Sequence, residues 1–226
     1  MGKKITLDAS DGFRLEAWQA DPKQAPRAAV VVIQEIFGVN AHIRELCEGF
    51  AEQGYLAIAP ALFDRVERGV ELDYDEAGIQ RGADLARNRL DLDQALLDIQ
   101  AAIDAGAKVG PVGIVGYCFG GLLTWLAACR LERVACASSY YGGGIDRFAD
   151  LTPRCPVIFH FGARDAHILP EHVERIRAAH PELPVHVYEA DHGFNCDHRA
   201  SHDDDAAALA RQRTLDLFAA HLVPNR

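Results

Sequence analysis

An α/β fold, with a mostly parallel central sheet of about eight strands and helices on both faces, is the class that this 226-residue sequence predicts. Three observations point to it. Short apolar runs rich in β-branched residues, at 28–34 and 112–115, have the composition of strands buried on both faces. Between such runs lie stretches whose apolar residues recur at helical spacing. The two kinds of segment alternate, and alternation places crossover helices on both faces of a parallel sheet. The length fits a single domain over 1–226, which at this size buries roughly 70% of the surface of its unfolded chain and needs no disulfide to hold it.

The elements follow in order. Two strands, at 3–8 and 13–19, open the chain and are joined through Asp11-Gly12, a hairpin signal. The run 28–34 reads as a central strand. Residues 41–53 read as a helix with Ile43, Leu46, Cys47 and Phe50 on one face, and 55–59 as a strand ended by Pro60. The charged, irregular segment 61–75 reads as a loop across the top of the fold. One long helix is expected within 76–105, from the spacing of Leu92, Ala95, Leu96, Ile99 and Ile103. Strands at 112–115, 134–140, 156–161 and 185–189 then alternate with helices that begin after Cys118, at 170 and at 202. Ser201, ahead of Asp203-Asp204-Asp205, reads as a hydroxyl cap with carboxylates in the positive first turn of the last helix. That role explains the acidic run beside His198 and His202 with fewer assumptions than a metal site. There is no internal repeat, low-complexity tract or linker.

A formal charge of -10 argues against nucleic acid or an anionic membrane as a general partner, and leaves room for a local basic pocket. The N-terminus lacks the apolar core of a signal peptide, and no apolar stretch is long enough to span a bilayer. Met1-Gly2 with Thr6 matches a myristoylation signal only loosely. Six cysteines (47, 118, 129, 136, 155 and 196) are scattered through strands and helices without a C-x-x-C, so a reducing cytoplasm is the expected setting.

The stretch Gly116-Tyr117-Cys118-Phe119-Gly120-Gly121 has the form of a strand-to-helix elbow with cysteine at its tip. Small residues at 116 and 120 let the two backbones approach, and the tip side chain is pushed out at a helix N-terminus, where an anion such as a thiolate is favoured. Taken alone this is a glycine-rich turn, and most free cysteines are small buried hydrophobes. Two further strand ends supply the rest. Gly162-Ala163-Arg164-Asp165 follows strand 156–161, and Asp191-His192-Gly193-Phe194 follows strand 185–189. Nucleophile, acid and histidine thus occur in the chain order of α/β-hydrolases, 47 and then 27 residues apart. A thiol needs an imidazole partner to present a thiolate, and the imidazole needs a carboxylate to fix its tautomer. Gln34-Glu35-Ile36-Phe37-Gly38 follows strand 28–34, where this fold draws one oxyanion-hole N–H; the donors here would be the amides of Ile36 and Phe119. If Glu35 is buried near Cys118, it becomes a proton acceptor for the thiol.

Together, Gln-Glu-Ile-Phe-Gly at 34–38, Gly-Tyr-Cys-Phe-Gly-Gly at 116–121, Gly-x-x-Asp at 162–165 and Asp-His-Gly-Phe at 191–194 resemble the dienelactone hydrolase (carboxymethylenebutenolidase) family. The likeness extends from about residue 3 to Arg213-Thr214-Leu215-Asp216. It implies an α/β-hydrolase fold without a lid domain and a Cys118–His192–Asp165 triad that hydrolyses lactones through a thioester, with no cofactor or metal. It also implies that Glu35 pairs with the cysteine at rest and takes its proton when substrate binds. Arginines that hold a substrate carboxylate fall at Arg81 and Arg199, with Arg87 and Arg89 competing for the first position. Position 196 is cysteine where some members have arginine. The expected partner is a small, anionic lactone or ester, and the expected state a monomer or weak homo-oligomer. Two alternatives remain open at this point: a general carboxylesterase or thioesterase on the same triad, and a low-turnover thiol redox sensor, for which an exposed thiolate would suffice.

Overall fold

The computed structural model describes residues 2–222. Eight strands form one sheet: β1 (Lys3–Asp8), β2 (Arg14–Ala20), β3 (Ala29–Ile33), β4 (Leu56–Pro60), β5 (Val112–Tyr117), β6 (Val134–Tyr140), β7 (Val157–Gly162) and β8 (Val185–Tyr188). Their spatial order is β1-β2-β4-β3-β5-β6-β7-β8. β1 and β2 run antiparallel at one edge, and every pairing from β4 to β8 is parallel. The burial pattern separates the two kinds. β3, β4, β5 and β7 are buried at every position, as strands covered on both faces must be, whereas β1 and β2 mix exposed and buried residues.

The covering helices are α1 (Ala41–Glu52), α2 (Glu76–Asp84), α3 (Leu92–Gly106), α4 (Phe119–Arg130), α5 (Pro170–Ala179) and α6 (Asp204–His221). α1 turns Ile43, Cys47 and Phe50 inward, with Leu46 only partly covered. Phe218 of α6 packs on Phe50 and Tyr55, fixing the C-terminal helix to the same face. α4 is apolar nearly all round and is buried along most of its length. None of the helices described is long and apolar enough to cross a membrane.

Two expectations are corrected. The helix expected within 76–105 is two helices, separated by a π turn at Leu85–Arg89 and an extended Leu90. Asp91 then caps α3, accepting from the amides of Asp93 and Gln94 at 2.9 and 3.0 Å. A carboxylate that satisfies two free amides at once favours a fresh start over continuation. At the last helix the cap is Asp203, which accepts from Ala206 N at 2.9 Å, and not Ser201, whose buried hydroxyl has no hydrogen-bond partner among the described residues.

The sheet order places the functional edge. From β3 the chain passes first to β4 on one side and then to β5 on the other, so a crevice opens at the carboxyl ends of β3 and β5. Ile33 pairs with Gly116, so the residues two further along each strand, Glu35 and Cys118, emerge side by side. Gly162 pairs with Tyr188, and Asp165 and His192 lie three and four residues beyond.

The capping geometry predicts that Asp203→Ala lowers unfolding free energy by about 1 kcal/mol in urea titration. Ser201→Ala should leave it unchanged or raise it slightly; equal losses in the two variants would return the cap to Ser201.

Candidate active site

Cys118 closes β5 and caps α4, with φ 55° and ψ −116°. That conformation is costly for a residue with a Cβ and is imposed by the packing around it. A side chain at position 116 would stand 2.1 Å from the Gly120 carbonyl and 2.4 Å from the Thr124 hydroxyl. One at 120 would stand 2.4 Å from the Ile33 carbonyl. Glycine at both positions lets β5, α4 and the end of β3 touch backbone to backbone. The elbow is pinned by Cys118 N donating to Tyr140 O at 3.0 Å and by Gly121 N donating to Cys118 O at 2.9 Å. The thiol is thereby held, half-buried, at the N-terminus of α4.

The loops after β7 and β8 complete a chain of contacts. His192 Nε2 lies 3.2 Å from Cys118 Sγ, and His192 Nδ1 lies 2.7 Å from Asp165 Oδ2. The other Asp165 oxygen accepts from the amides of His167 and Ile168 at 2.8 and 3.1 Å, which aims the carboxylate. Tyr141 and His167 flank the imidazole, with ring centroids at 5.1 and 5.2 Å. Burial alone would lower the His192 pKa. The negative charge of Cys118 and the hydrogen bonds to Asp165 and Cys118 outweigh it and push the value up to about 10. For Asp165, burial acts to raise the pKa, but the His192 hydrogen bond and charge, with the two amides, hold it below its ordinary value. The arrangement is suited to a thiolate–imidazolium pair with a carboxylate behind it.

Glu35 is almost fully buried. Its Oε2 accepts from the Tyr74 hydroxyl at 3.2 Å, and Arg199 Nη1 lies 3.6 Å from Oε1, too far for a hydrogen bond but close enough to oppose the charge. Cys118 Sγ is directed to His192 Nε2, and no hydrogen bond joins it to Glu35 among the described residues. The Gln34 side chain braces this loop, donating to Glu35 O at 3.3 Å and accepting from Leu62 N at 3.1 Å. The amides of Ile36 and Phe119 have no backbone or side-chain acceptor among the described residues. The segment expected as an irregular loop packs onto the same place: Leu72 N donates to Phe37 O, and Tyr74 reaches Glu35.

The arginines differ. Arg199 stacks near Phe37 and Tyr74 and lies over Gly193, where a Cβ would stand 2.4 Å from its guanidinium. It therefore sits inside the crevice beside Glu35. Arg81 is half-exposed on α2 and pairs with Glu67, while its neighbour Gly82 packs on the Ile36 carbonyl; Arg87 and Arg89 are exposed on the π turn. Tyr74, Tyr141 and His42, which the sequence does not single out, also gather around Glu35, together with Cys196. Their signal is weak, since each is an isolated polar or aromatic residue whose neighbours come from other elements. Among the described residues, two groups could hold a cation: His42, Glu45, Asp197 and His198, and the buried trio Glu35, His42 and Cys196. His202 instead faces Asp204 at 3.1 Å.

The profile of the dienelactone hydrolase family matches residues 15–222. The carboxymethylenebutenolidase of Pseudomonas putida is 35% identical over 226 residues, spanning 95% of each chain. Carboxymethylenebutenolidase 1 of Cupriavidus pinatubonensis is 30% identical over 225 residues, again spanning 95% of each. Among solved structures, a Klebsiella pneumoniae protein assigned as a dienelactone hydrolase superposes with a TM-score of 0.83 at 33% identity, covering 97% of this chain and 99% of that one. A dienelactone hydrolase-like promiscuous phosphotriesterase from metagenomic libraries shares the fold, with a TM-score of 0.75 at 22% identity. On the sequence match, the eight-stranded α/β-hydrolase sheet and the elbow at its crevice, this chain belongs to the dienelactone hydrolase family and is an ester hydrolase.

Proposed function

We propose that residues 1–226 act as one catalytic domain that hydrolyses lactones of the carboxymethylenebutenolide type through a Cys118–His192–Asp165 triad. The observation that carries this reading is the unbroken contact chain from Cys118 Sγ through His192 to Asp165, at 3.2 and 2.7 Å, on a strained elbow. The Cys118 thiolate attacks the lactone carbonyl carbon. The amides of Ile36 and Phe119 receive the developing oxyanion, since both are free to donate. The ring C–O bond breaks, the leaving oxygen takes the proton from His192, and a thioester remains. Acylation removes the negative charge that acts most strongly to raise the His192 pKa, so the imidazole becomes a base just when one is needed. It deprotonates water, the hydroxide attacks the thioester, and the thiolate leaves as the product carboxylate forms. Asp165 keeps the tautomer throughout.

Arg199 and Glu35 give the site a response to anionic substrate. A substrate carboxylate is attracted to Arg199, the cation in the crevice, by charge-assisted hydrogen bonding. Binding it would draw Arg199 away from buried Glu35, which it approaches at 3.6 Å in the unliganded crevice. Arg81, already paired with Glu67, stands at the rim and makes a smaller contribution.

Three outcomes are expected. Cys118→Ala should reduce hydrolysis of dienelactone by on the order of a thousandfold or more, with circular dichroism unchanged; full activity in this variant would refute the nucleophile assignment. Because the His192 pKa is raised, the imidazolium that protonates the leaving oxygen persists through neutral pH, so kcat/KM should hold and then fall as pH rises through about 10. Its contribution to fold stability is complete below the ordinary histidine pKa, declines steadily above that and is lost once pH has risen through about 10. A kcat/KM that falls as pH rises past the ordinary histidine value would contradict the ion pair. Arg199→Ala should cost about ten- to a hundredfold in kcat/KM for an anionic lactone while sparing a neutral aryl ester, with Arg81→Ala less severe. Equal losses on both substrates would make Arg199 structural and favour a general esterase.

A further inference from the structure

Away from the thiol, one group of side chains is gathered as metal ligands are. α1 presents His42 and Glu45 one turn apart, and the loop after β8 brings Asp197 and His198 against them. One donor atom from each of the four lies within 4.8 Å of all the others. His198 Nε2 is 2.7 Å from Glu45 Oε2 and 3.9 Å from Asp197 Oδ1; His42 Nδ1 is 3.2 Å from the same Asp197 oxygen.

A second, independent observation concerns His42. It is only 1% exposed, yet neither ring nitrogen has a well-formed hydrogen bond among the described residues; Nδ1 approaches Asp197 Oδ1 at 3.2 Å. Burying an imidazole with both nitrogens idle forfeits hydrogen bonds that water would have supplied, and native interiors rarely tolerate that without a ligand. His42, Glu45 and Asp197 line a cleft of about 320 Å³, together with Asn195 and His202, which gives an ion a route in.

We propose that His42, Glu45, Asp197 and His198 form a binding site for a divalent transition-metal ion of the zinc class. Two imidazoles and two carboxylates are a mixed nitrogen–oxygen donor set that suits Zn²⁺, Ni²⁺ or Cu²⁺, whereas Ca²⁺ and Mg²⁺ take shells of oxygen alone. Zinc–ligand bonds of about 2.0–2.2 Å set tetrahedral donors roughly 3.4 Å apart, so the 2.7 Å His198–Glu45 pair must open and the wider pairs must close. Buried His42 is the fixed anchor. Exposed Glu45 and Asp197 and partly exposed His198 have the freedom to close on the ion, which replaces the His198–Glu45 hydrogen bond. Arg211 lines the same cleft, but its Nη2 is turned to the Gly49 carbonyl at 3.1 Å. Bound metal would cross-link α1 to the loop that carries His192 at one end and Arg199 at the other. The site does not depend on the catalytic assignment.

The buried trio of Glu35, His42 and Cys196 shares His42 and is the competing location, so the test separates the two. Chelator-stripped full-length protein is titrated with ZnCl₂ by calorimetry and scanned for thermal unfolding. One Zn²⁺ per chain is expected, with a melting midpoint that climbs with zinc concentration and does not respond to Ca²⁺ or Mg²⁺. Asp197→Asn combined with His198→Ala should weaken binding by more than about tenfold, and so should Glu45→Gln on the exposed helix face, with metal-free melting preserved. Cys196→Ser should leave affinity unchanged. Absence of saturable binding up to about a millimolar, undiminished binding in both sets of variants, or loss only in Cys196→Ser would each overturn the assignment.

Discussion

Cys118 holds a backbone conformation that an L-residue adopts only when its surroundings allow nothing else, and most of the crevice is arranged so that nothing else is allowed. Three backbones converge beneath it: the end of β3, the end of β5 and the first turn of α4. Glycines at 116 and 120 permit contacts that any Cβ would block. The strain is carried by the fully buried strands on either side, whose parallel ladders leave the elbow little room to relax. In return the thiol meets an imidazole at the first turn of α4, and the amides of Ile36 and Phe119 have no acceptor among the described residues.

The electrostatics follow from that convergence. Asp165, His192 and Cys118 form one chain of contacts and Glu35 faces Arg199 beside it, inside a region with little water, where a charge is worth more than it would be at the surface. Removing any one of them changes what its neighbours can hold. His192 shows this most directly, since its protonation is set against burial by the groups on either side. The residues therefore act as a unit, and their individual contributions will not sum.

Much of this was legible in the sequence because the carriers are local. A strand buried on both faces must be apolar, a tight elbow must have small residues, and loops at strand ends carry the polar groups; each leaves a mark within a few residues. Family membership follows from four such marks read together. What was not legible depends on side chains meeting from distant segments. Tyr74 lies in a stretch with no periodicity, yet it supplies the hydroxyl on Glu35. His42 looks like one more residue of an amphipathic helix, and nothing in the sequence says that its ring is sealed without a partner. The break between α2 and α3 did leave a trace, since Asp91 with Gln94 three residues on is a start signal, but the strong apolar spacing after Leu92 masked it. At Ser201 the error was one of choice between two capping groups two residues apart, decided by backbone geometry that the sequence does not encode locally.

The loop after β8 packs several contacts into the eight residues from His192 to Arg199. His192 is at one end, Gly193 gives way to a guanidinium, Cys196 is buried, Asp197 and His198 face α1, and Arg199 reaches Glu35. In evolutionary terms this makes the segment a single, crowded target. A change at Arg199 also shifts the packing over Gly193, next to His192, so replacements that keep both contacts must come in coordinated sets. Family members should accordingly diverge here in blocks rather than one position at a time, and the cysteine at 196 is best understood as one term of such a block.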